Sequence, residues 1–405
     1  MNSKVKAVLD ILAKKLPQEA MPRPLSEIPK IQVHTFSTQS IIVDRLLGRG
    51  GWPRGHMVEL YGREGSGKTT FCYHAIAQAQ KEGMLCAMLD AEHRTDPDYA
   101  SKIGVDLSSL IFLQPMRGED GMEAIRQLLH TKKVGLIIVD SIDAIRPEVE
   151  DENDFDSSNI GKHAKLINSG LRQFSKLKGA ADCCLIFTNQ IRKDPSGYGS
   201  GEVNPGGMAP KFYCSIRVKL ARTETNKNKA EEAVSNTVKV KTEKNSVGVP
   251  YKEAEITLEF GVGICPYNDA ITAGIEAGLI KKKGSFYSLV HGKEEIKLGQ
   301  GIESAKLWLK TGSRLAKLQA LIRKSKWYLE GIGKFEAIQE KSQPGIETEP
   351  AEDGEVSPDG GGGEEEESED GLSGMRTYFL KSKHGPSSPE GEDGEEYDDS
   401  DSSLP

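Results

Sequence analysis

One octapeptide constrains this chain more than any other feature: Gly62-Arg63-Glu64-Gly65-Ser66-Gly67-Lys68-Thr69. It fits G-x-x-x-x-G-K-[ST], a loop whose glycines let backbone N–H groups turn inward around phosphate oxygens. Lys68 supplies a point charge to the β- and γ-phosphates, and the Thr69 hydroxyl can ligate Mg²⁺. The apolar run 57–61 precedes the motif and a helical pattern begins at Thr69, with Thr70 in its first turn. The helix N-terminus therefore faces the phosphates.

That strand–loop–helix unit opens a longer alternation. Apolar runs at 57–61, 85–89, 110–113, 136–139, 184–188 and 215–220 predict strands, and the amphipathic stretches 69–81, 121–131 and 163–178 predict helices between them. The pattern predicts an α/β fold, a mostly parallel sheet with helices on both faces. Residues 238–241 and 254–260 read as later, antiparallel strands. In Leu136-Ile137-Ile138-Val139-Asp140 the acid falls at the carboxyl end of a buried strand, the edge at which open α/β sheets bind ligands. Asp140 there is a candidate magnesium partner, through water. Hydrolysis also needs a group that orients water. Glu92, just past the strand 85–89, is the candidate; Asp90 is its nearest competitor, with capping of the next turn as its alternative role. Asn189-Gln190 end the strand 184–188, where an amide can touch a γ-phosphate without adding charge. Residues 193–210 hold five glycines, so a loop without a core of its own is expected.

The ends read differently. Val5, Val8, Leu9, Leu12 and Leu16 recur at helical spacing, so residues 4–16 predict an amphipathic helix, tethered by a linker containing Pro17, Pro22, Pro24 and Pro29. No apolar run approaches membrane-spanning length, and a soluble protein of the cytoplasm, with no membrane partner, is expected. Six cysteines without a C-x-x-C pair read as buried thiols in a reducing compartment. After Gly263 a small mixed lobe is expected. From about 333 the chain is rich in Gly, Ser, Glu and Asp and reads as disordered. Residues 331–405 hold 22 acidic and 5 basic side chains, a net −17, while the rest carries +9. A basic body with an acidic tail suits a nucleic-acid partner, and equally an ordinary enzyme with a solvating tail. Within the tail, residues 375–383 form a basic island with Tyr378, Phe379 and Leu380, either a partner motif or random variation. Four segments are expected: 1–34, helix and linker; 35–262, ATPase core; 263–331, small lobe; 332–405, tail.

Taken together, Phe36-Ser37-Thr38-Gln39-Ser40, the phosphate loop, Leu89-Asp90-Ala91-Glu92-His93, Ile138-Val139-Asp140-Ser141, Phe187-Thr188-Asn189-Gln190-Ile191-Arg192 and Gly206-Gly207 with Lys211-Phe212-Tyr213 resemble the bacterial RecA recombinase family. The likeness covers about 35 to 331, and Ser285-Phe286-Tyr287-Ser288 and Leu298-Gly299-Gln300-Gly301 resemble that family's C-terminal lobe. The resemblance implies a RecA-like P-loop core that uses ATP and Mg²⁺, pairs single-stranded DNA with homologous double-stranded DNA, and assembles as a helical homo-filament through its N-terminal helix. It makes Glu92 the catalytic glutamate, lets Gln190 couple nucleotide to DNA, and puts Tyr99 against adenine within Asp96-Pro97-Asp98-Tyr99-Ala100. Residues 148–160, reaching Ile160 and Gly161, look like the first DNA loop, and 193–210, with Tyr198, Gly206 and Gly207, like the second. Lys165, Arg172, Arg192 and Lys211 fall where the family faces DNA or the next subunit. Lys244 matches the first of two family lysines that reach a neighbouring ATP; Ser246 stands at the second. The second loop is rebuilt, and the tail is long and acidic for the family.

Strand exchange needs single-stranded DNA held extended, with phosphates gripped by basic groups and side chains wedged between bases. Ile160 and Tyr198 are candidate wedges, or pack within their own loops. Lys281-Lys282-Lys283 attract incoming duplex, or form a solvated run. Two other functions fit parts of the pattern: a translocating DNA-stimulated ATPase, and a DNA-binding paralogue that does not exchange strands. The intact Lys68, Glu92, Asp140 and Gln190 argue against the second, and the small lobe against the first.

Overall fold

The computed structural model describes residues 3–17, 21–27, 32–148, 160–193, 202–203, 207–228, 230–291 and 294–333. Tyr198, Gly206, most of both expected DNA loops, the acidic tail and its basic island lie outside them.

The chain opens with helix α1 (Ser3–Ala13), which buries none of its residues. It stops short of the expected end at residue 16, where Leu16 N–H still bonds back to the Leu12 carbonyl in a closing turn. Strand β1 (Thr35–Phe36) pairs with β2 (Trp52–Pro53) around α2 (Ile41–Leu47). Ser40 caps α2 by accepting from Val43 N–H, and Gly48 ends it in the left-handed conformation at φ 80°.

The central sheet runs through β3 (Met57–Gly62), β4 (Leu85–Asp90), β5 (Leu110–Leu113), β6 (Val134–Asp140) and β7 (Cys184–Gln190). It continues through β10 (Ile216–Lys227), β11 (Ala233–Asn245), β12 (Glu253–Glu259) and β13 (Gly263–Ile264), after a short hairpin of β8 (Arg192–Lys193) and β9 (Glu202–Val203). Its order is β13-β12-β11-β10-β3-β7-β6-β4-β5. From β10 to β5 neighbours are parallel; from β10 to β13 they are antiparallel. Helix α3 (Lys68–Lys81) and α4 (Pro97–Ile103) pack with α2 on one face. Helices α5 (Gly118–Thr131) and α6 (Ile160–Ala181) pack on the other. The parallel strands are apolar along nearly their whole length because both faces are covered. At the edge of the second loop, α7 (Ala209–Tyr213) begins with buried Ala209 and Pro210, so the expected loop 193–210 ends in a helix and starts in a strand.

The small lobe holds α8 (Pro266–Glu276), the three-stranded sheet β14 (Ile280–Lys283), β15 (Phe286–His291) and β16 (Glu294–Gln300), then α9 (Gly301–Lys310), α10 (Arg314–Lys324) and α11 (Lys326–Gly331). Asp269 fastens it to the core by accepting from Ser40 Oγ and from Ile41 N–H at 2.7 Å. Two expected boundaries shift. Strand β13, beyond 262, belongs to the central sheet, and Ile332, expected in the tail, is buried in the core. All six cysteines are free and buried.

Candidate functional site: a phosphate cleft at the carboxyl edge of the sheet

The parallel strands β3, β4, β6 and β7 deliver their carboxyl ends to one cleft of about 310 Å³. Its floor is the phosphate loop. Gly65 and Gly67 adopt φ 69° and 91°, which side-chain-bearing residues rarely reach. A Cβ on Gly62 would meet the Leu220 carbonyl oxygen at 2.2 Å, and one on Gly67 would meet Leu258 Cδ1 at 2.3 Å. The glycines are thus required by shape, not only by sequence habit.

Lys68 opens α3 and is buried. Its Nζ donates to the Gly62 and Arg63 carbonyls at 3.1 Å each, so its stem is held along the loop. Burial lowers its pKa, against the pull of Asp140, Glu92 and Asp143. Thr69 Oγ1 donates to Asp140 Oδ2 at 2.7 Å, and Thr188 Oγ1 donates to the other oxygen of the same carboxylate. Burial raises the Asp140 pKa, while those hydroxyls and Lys68 oppose it. Ser66 Oγ is buried with no hydrogen-bond partner. A buried carboxylate beside a threonine hydroxyl, an ammonium on a glycine loop and an unused hydroxyl are the donor set that a magnesium-bound triphosphate matches.

Glu92 sits just beyond β4. Its Oε1 accepts from Ser141 Oγ at 2.6 Å and from Gln190 Nε2 at 3.2 Å, and Oε2 is 3.8 Å from Arg94. Asp90 instead accepts from Glu92 N–H and Thr95 N–H, each at 3.1 Å, and from Gln114. It is spent on the turn, the role named as its alternative. Tyr99, at the rim, pairs its hydroxyl with Thr70 Oγ1 at 3.1 Å and meets Tyr73 edge-on. Asp96 is exposed and caps α4, accepting from Tyr99 N–H at 3.0 Å.

The cleft thus brings together residues 64–70, Glu92, Tyr99, Asp140 and Gln190. It also recruits residues that motif reading missed: Arg94, Thr95, Asn236, Leu258, Glu259 and Phe260. The last four come from the antiparallel extension, far along the chain, and carry no local signature. Lys244 lies elsewhere, with Nζ donating to the Lys211 and Phe212 carbonyls at 2.8 and 3.1 Å. Gly161, Lys165 and Arg172 are exposed on α6. A Cβ on Gly207 would lie 3.5 Å from Ala164, so the end of the second loop rests on that helix, beside exposed Lys211. Ile160 and Arg192 are placed by backbone alone, in α6 and β8.

A parallel sheet with a glycine-rich loop between β3 and α3, an acid at the tip of β6 and a glutamate past β4 define a P-loop nucleoside triphosphatase. A family model described as RecA N-terminal domain matches residues 3–265, and one described as RecA C-terminal domain matches residues 268–325. Among similar proteins, Protein RecA of Cereibacter sphaeroides is 40% identical over 289 residues, 71% of this chain and 83% of its own length. Protein RecA of Cutibacterium acnes is 42% identical over 287 residues, 71% of this chain and 81% of its own. That of Sulfurovum sp. is 40% identical over 304 residues, 74% and 86% respectively. The chain belongs to the RecA family. It is an ATP-dependent recombinase that uses Mg²⁺, forms a helical filament of its own copies on single-stranded DNA, and pairs that strand with homologous duplex in recombination and repair. Among the described residues, no helix is long and apolar enough to cross a membrane.

Proposed function

We propose that ATP hydrolysis for strand exchange is carried out by Glu92, Lys68 and Gln190, and that residues 62–70 with Tyr99, Asp96 and Asp140 hold the nucleotide. One observation carries this reading: the Glu92 carboxylate is fixed by Ser141 and Gln190 in the same cleft as Lys68. With Oε1 engaged, Oε2 is the oxygen left to orient water and take its proton. Lys68 draws on phosphate charge, and Thr69 and Asp140 would hold the magnesium, which when bound neutralises charge between the β- and γ-phosphates. Gln190 exchanges its bond to Glu92 for one to the γ-phosphate and so reports nucleotide state along β7. Gly161, Lys165, Arg172, Arg192, Gly207 and Lys211 hold single-stranded DNA, together with Ile160, Tyr198 and Gly206. Lys244 reaches the ATP of an adjacent copy. The protein works in the cytoplasm, a reading supported by six buried free thiols.

Two variants test the division of labour. Lys68→Ala is expected to lose nucleotide binding. Glu92→Gln is expected to bind ATP and assemble on DNA, with turnover reduced by about 10²-fold or more. Equal turnover in wild type and Glu92→Gln, measured by phosphate release on single-stranded DNA, removes Glu92 from this role.

A further inference from the structure

A polar cluster that the nucleotide cleft does not use lies in the middle of the same sheet. Glu59 on β3, Asn189 on β7 and Arg217 on β10 are all buried. Asn189 Nδ2 donates to Glu59 Oε1 at 2.9 Å, and Arg217 Nε donates to Glu59 Oε2. The guanidinium lies over the Tyr61 ring, 4.4 Å from its centroid, and its Nη1 is 3.8 Å from Glu243 Oε2. Side chains alternate along a strand, so Asn189 and Gln190 point to opposite faces of β7. The cluster therefore begins one residue from Gln190, on the other side of the sheet.

Its other end is set by a bulge. Arg217 pairs with Lys244, whereas the next residue, Val218, pairs with Thr242, so Glu243 is an extra residue in β11. A bulge re-aims the side chains beside it. Here it lets Glu243 face Arg217 while Lys244 reaches across to the Lys211 and Phe212 carbonyls of α7. A continuous set of contacts thus runs from the neighbour of Gln190 through Glu59, Arg217 and Glu243 to the helix carrying Lys211.

Such a cluster is costly as mere filling. A buried ion pair rarely outperforms apolar residues of the same volume. In addition, Arg217 Nη2 and Asn189 Oδ1 are buried without hydrogen-bond partners. Unused donors and acceptors inside a sheet call for a role other than packing.

We propose that Arg217 is a positioning residue that couples the ATP cleft to the DNA-side surface, setting β7 through Glu59 and Asn189 and the Lys211 helix through Glu243 and Lys244. It touches neither nucleotide nor DNA. The inference rests on the reading of Gln190 as the nucleotide contact.

The test uses the full chain and measures ATP turnover with and without single-stranded DNA. Arg217→Lys keeps a positive charge for Glu59 but removes the planar fork, while Glu243→Gln changes only the half-exposed end. Both are expected to keep ATP affinity and DNA-free turnover, and to lose about tenfold of the DNA-stimulated rate. The double variant is expected to be no worse than Arg217→Lys alone, because both act on one chain of contacts. Should Arg217→Lys fail to fold, Glu243→Gln still decides the matter. Undiminished stimulation overturns the proposal. So does a fall of both rates by the same factor together with a lower melting temperature, the signature of lost packing. Gln190→Ala separates the two readings. If it retains full stimulation, the role given to Gln190 is wrong; if it loses stimulation while Arg217→Lys keeps it, only the coupling is wrong.

Discussion

His74, which no motif contains, joins three distant parts of the chain. Its Nε2 accepts from Ile264 N–H at 2.8 Å, so the ring proton sits on Nδ1 and points to Gln39 Oε1 at 2.7 Å. Burial holds its pKa down at about 4, against an ordinary 6.5. Between those values the unfolded chain takes up a proton that the folded chain refuses, so stability rises with pH there and is lost as pH falls. Asp44 and Asp269 act in the opposite sense. Burial raises their pKa values to about 7 and about 6, so their contribution declines as pH rises from about 4 toward those values. Comparing wild type with His74→Gln isolates the histidine: the unfolding free energy at pH 7 minus that at pH 5, taken with its sign, is expected to be lower by about 1–2 kcal/mol in the variant, because the rise that the histidine contributes over that span is lost. Urea unfolding at both pH values that gives the same difference for both proteins contradicts this. The side chains that line the phosphate cleft were far easier to read than His74. Lys68, Glu92, Asp140 and Gln190 each follow an apolar strand or a glycine motif, and strand ends converge in a parallel sheet. Gln39 and Ile264 meet His74 only through the tertiary fold, as do Asn236 and Phe260 at the cleft.

Helix α1 was legible from its periodicity, and its surroundings give that pattern meaning. Val5, Val8 and Ile11 are 44%, 55% and 58% exposed, an apolar stripe without cover in the single chain. Removal of residues 1–30 is expected to leave a folded, ATP-binding core that no longer forms filaments. Sedimentation showing unchanged long polymers contradicts it. The strands were legible at their centres and not at their ends. Residues 215–220 announce themselves by an apolar run and 238–241 by alternation of valine and lysine, yet β10 and β11 extend to Ile216–Lys227 and Ala233–Asn245. Their outer halves carry a polar ladder: Thr225 Oγ1 donates to Asn236 Oδ1 at 2.9 Å, and Asn226 Nδ2 to Ser235 and Thr237 hydroxyls at 3.1 Å. Cross-strand polar pairs stabilise a hairpin without leaving a hydrophobic trace. The bulge at Glu243 is hidden for a similar reason: an extra residue changes register, not composition.

Charge is distributed over the molecule so that residues 331–405 carry −17 against +9 on the rest. A polyanionic segment competes with DNA for the same basic surface, and the weaker duplex site should feel it most. Because Ile332 is buried and a Cβ on Gly331 would meet Arg45 Cγ at 2.3 Å, the tail is best cut after Gly333. That truncation is expected to tighten duplex binding at low salt and to lower the magnesium needed for strand exchange. The gain should fade as the screening length falls to about 8–10 Å. Equal duplex affinity of both forms across a magnesium titration contradicts it. The fold class followed from strand–helix alternation, since that is a repeated signal. The junctions between segments did not: β13 and Ile332 are held by contacts that no local pattern announces. The whole assembly is an ATP-dependent machine for the exchange of strands between homologous DNA molecules, with turnover assigned to Glu92 in the reading proposed above. A joint-molecule assay with single-stranded circles, linear duplex, ATP and Mg²⁺ tests that most directly. Joint molecules are expected with homologous duplex, none with heterologous duplex, and none with Lys68→Ala. Vigorous DNA-stimulated ATP hydrolysis by the wild-type protein without joint molecules would contradict the account.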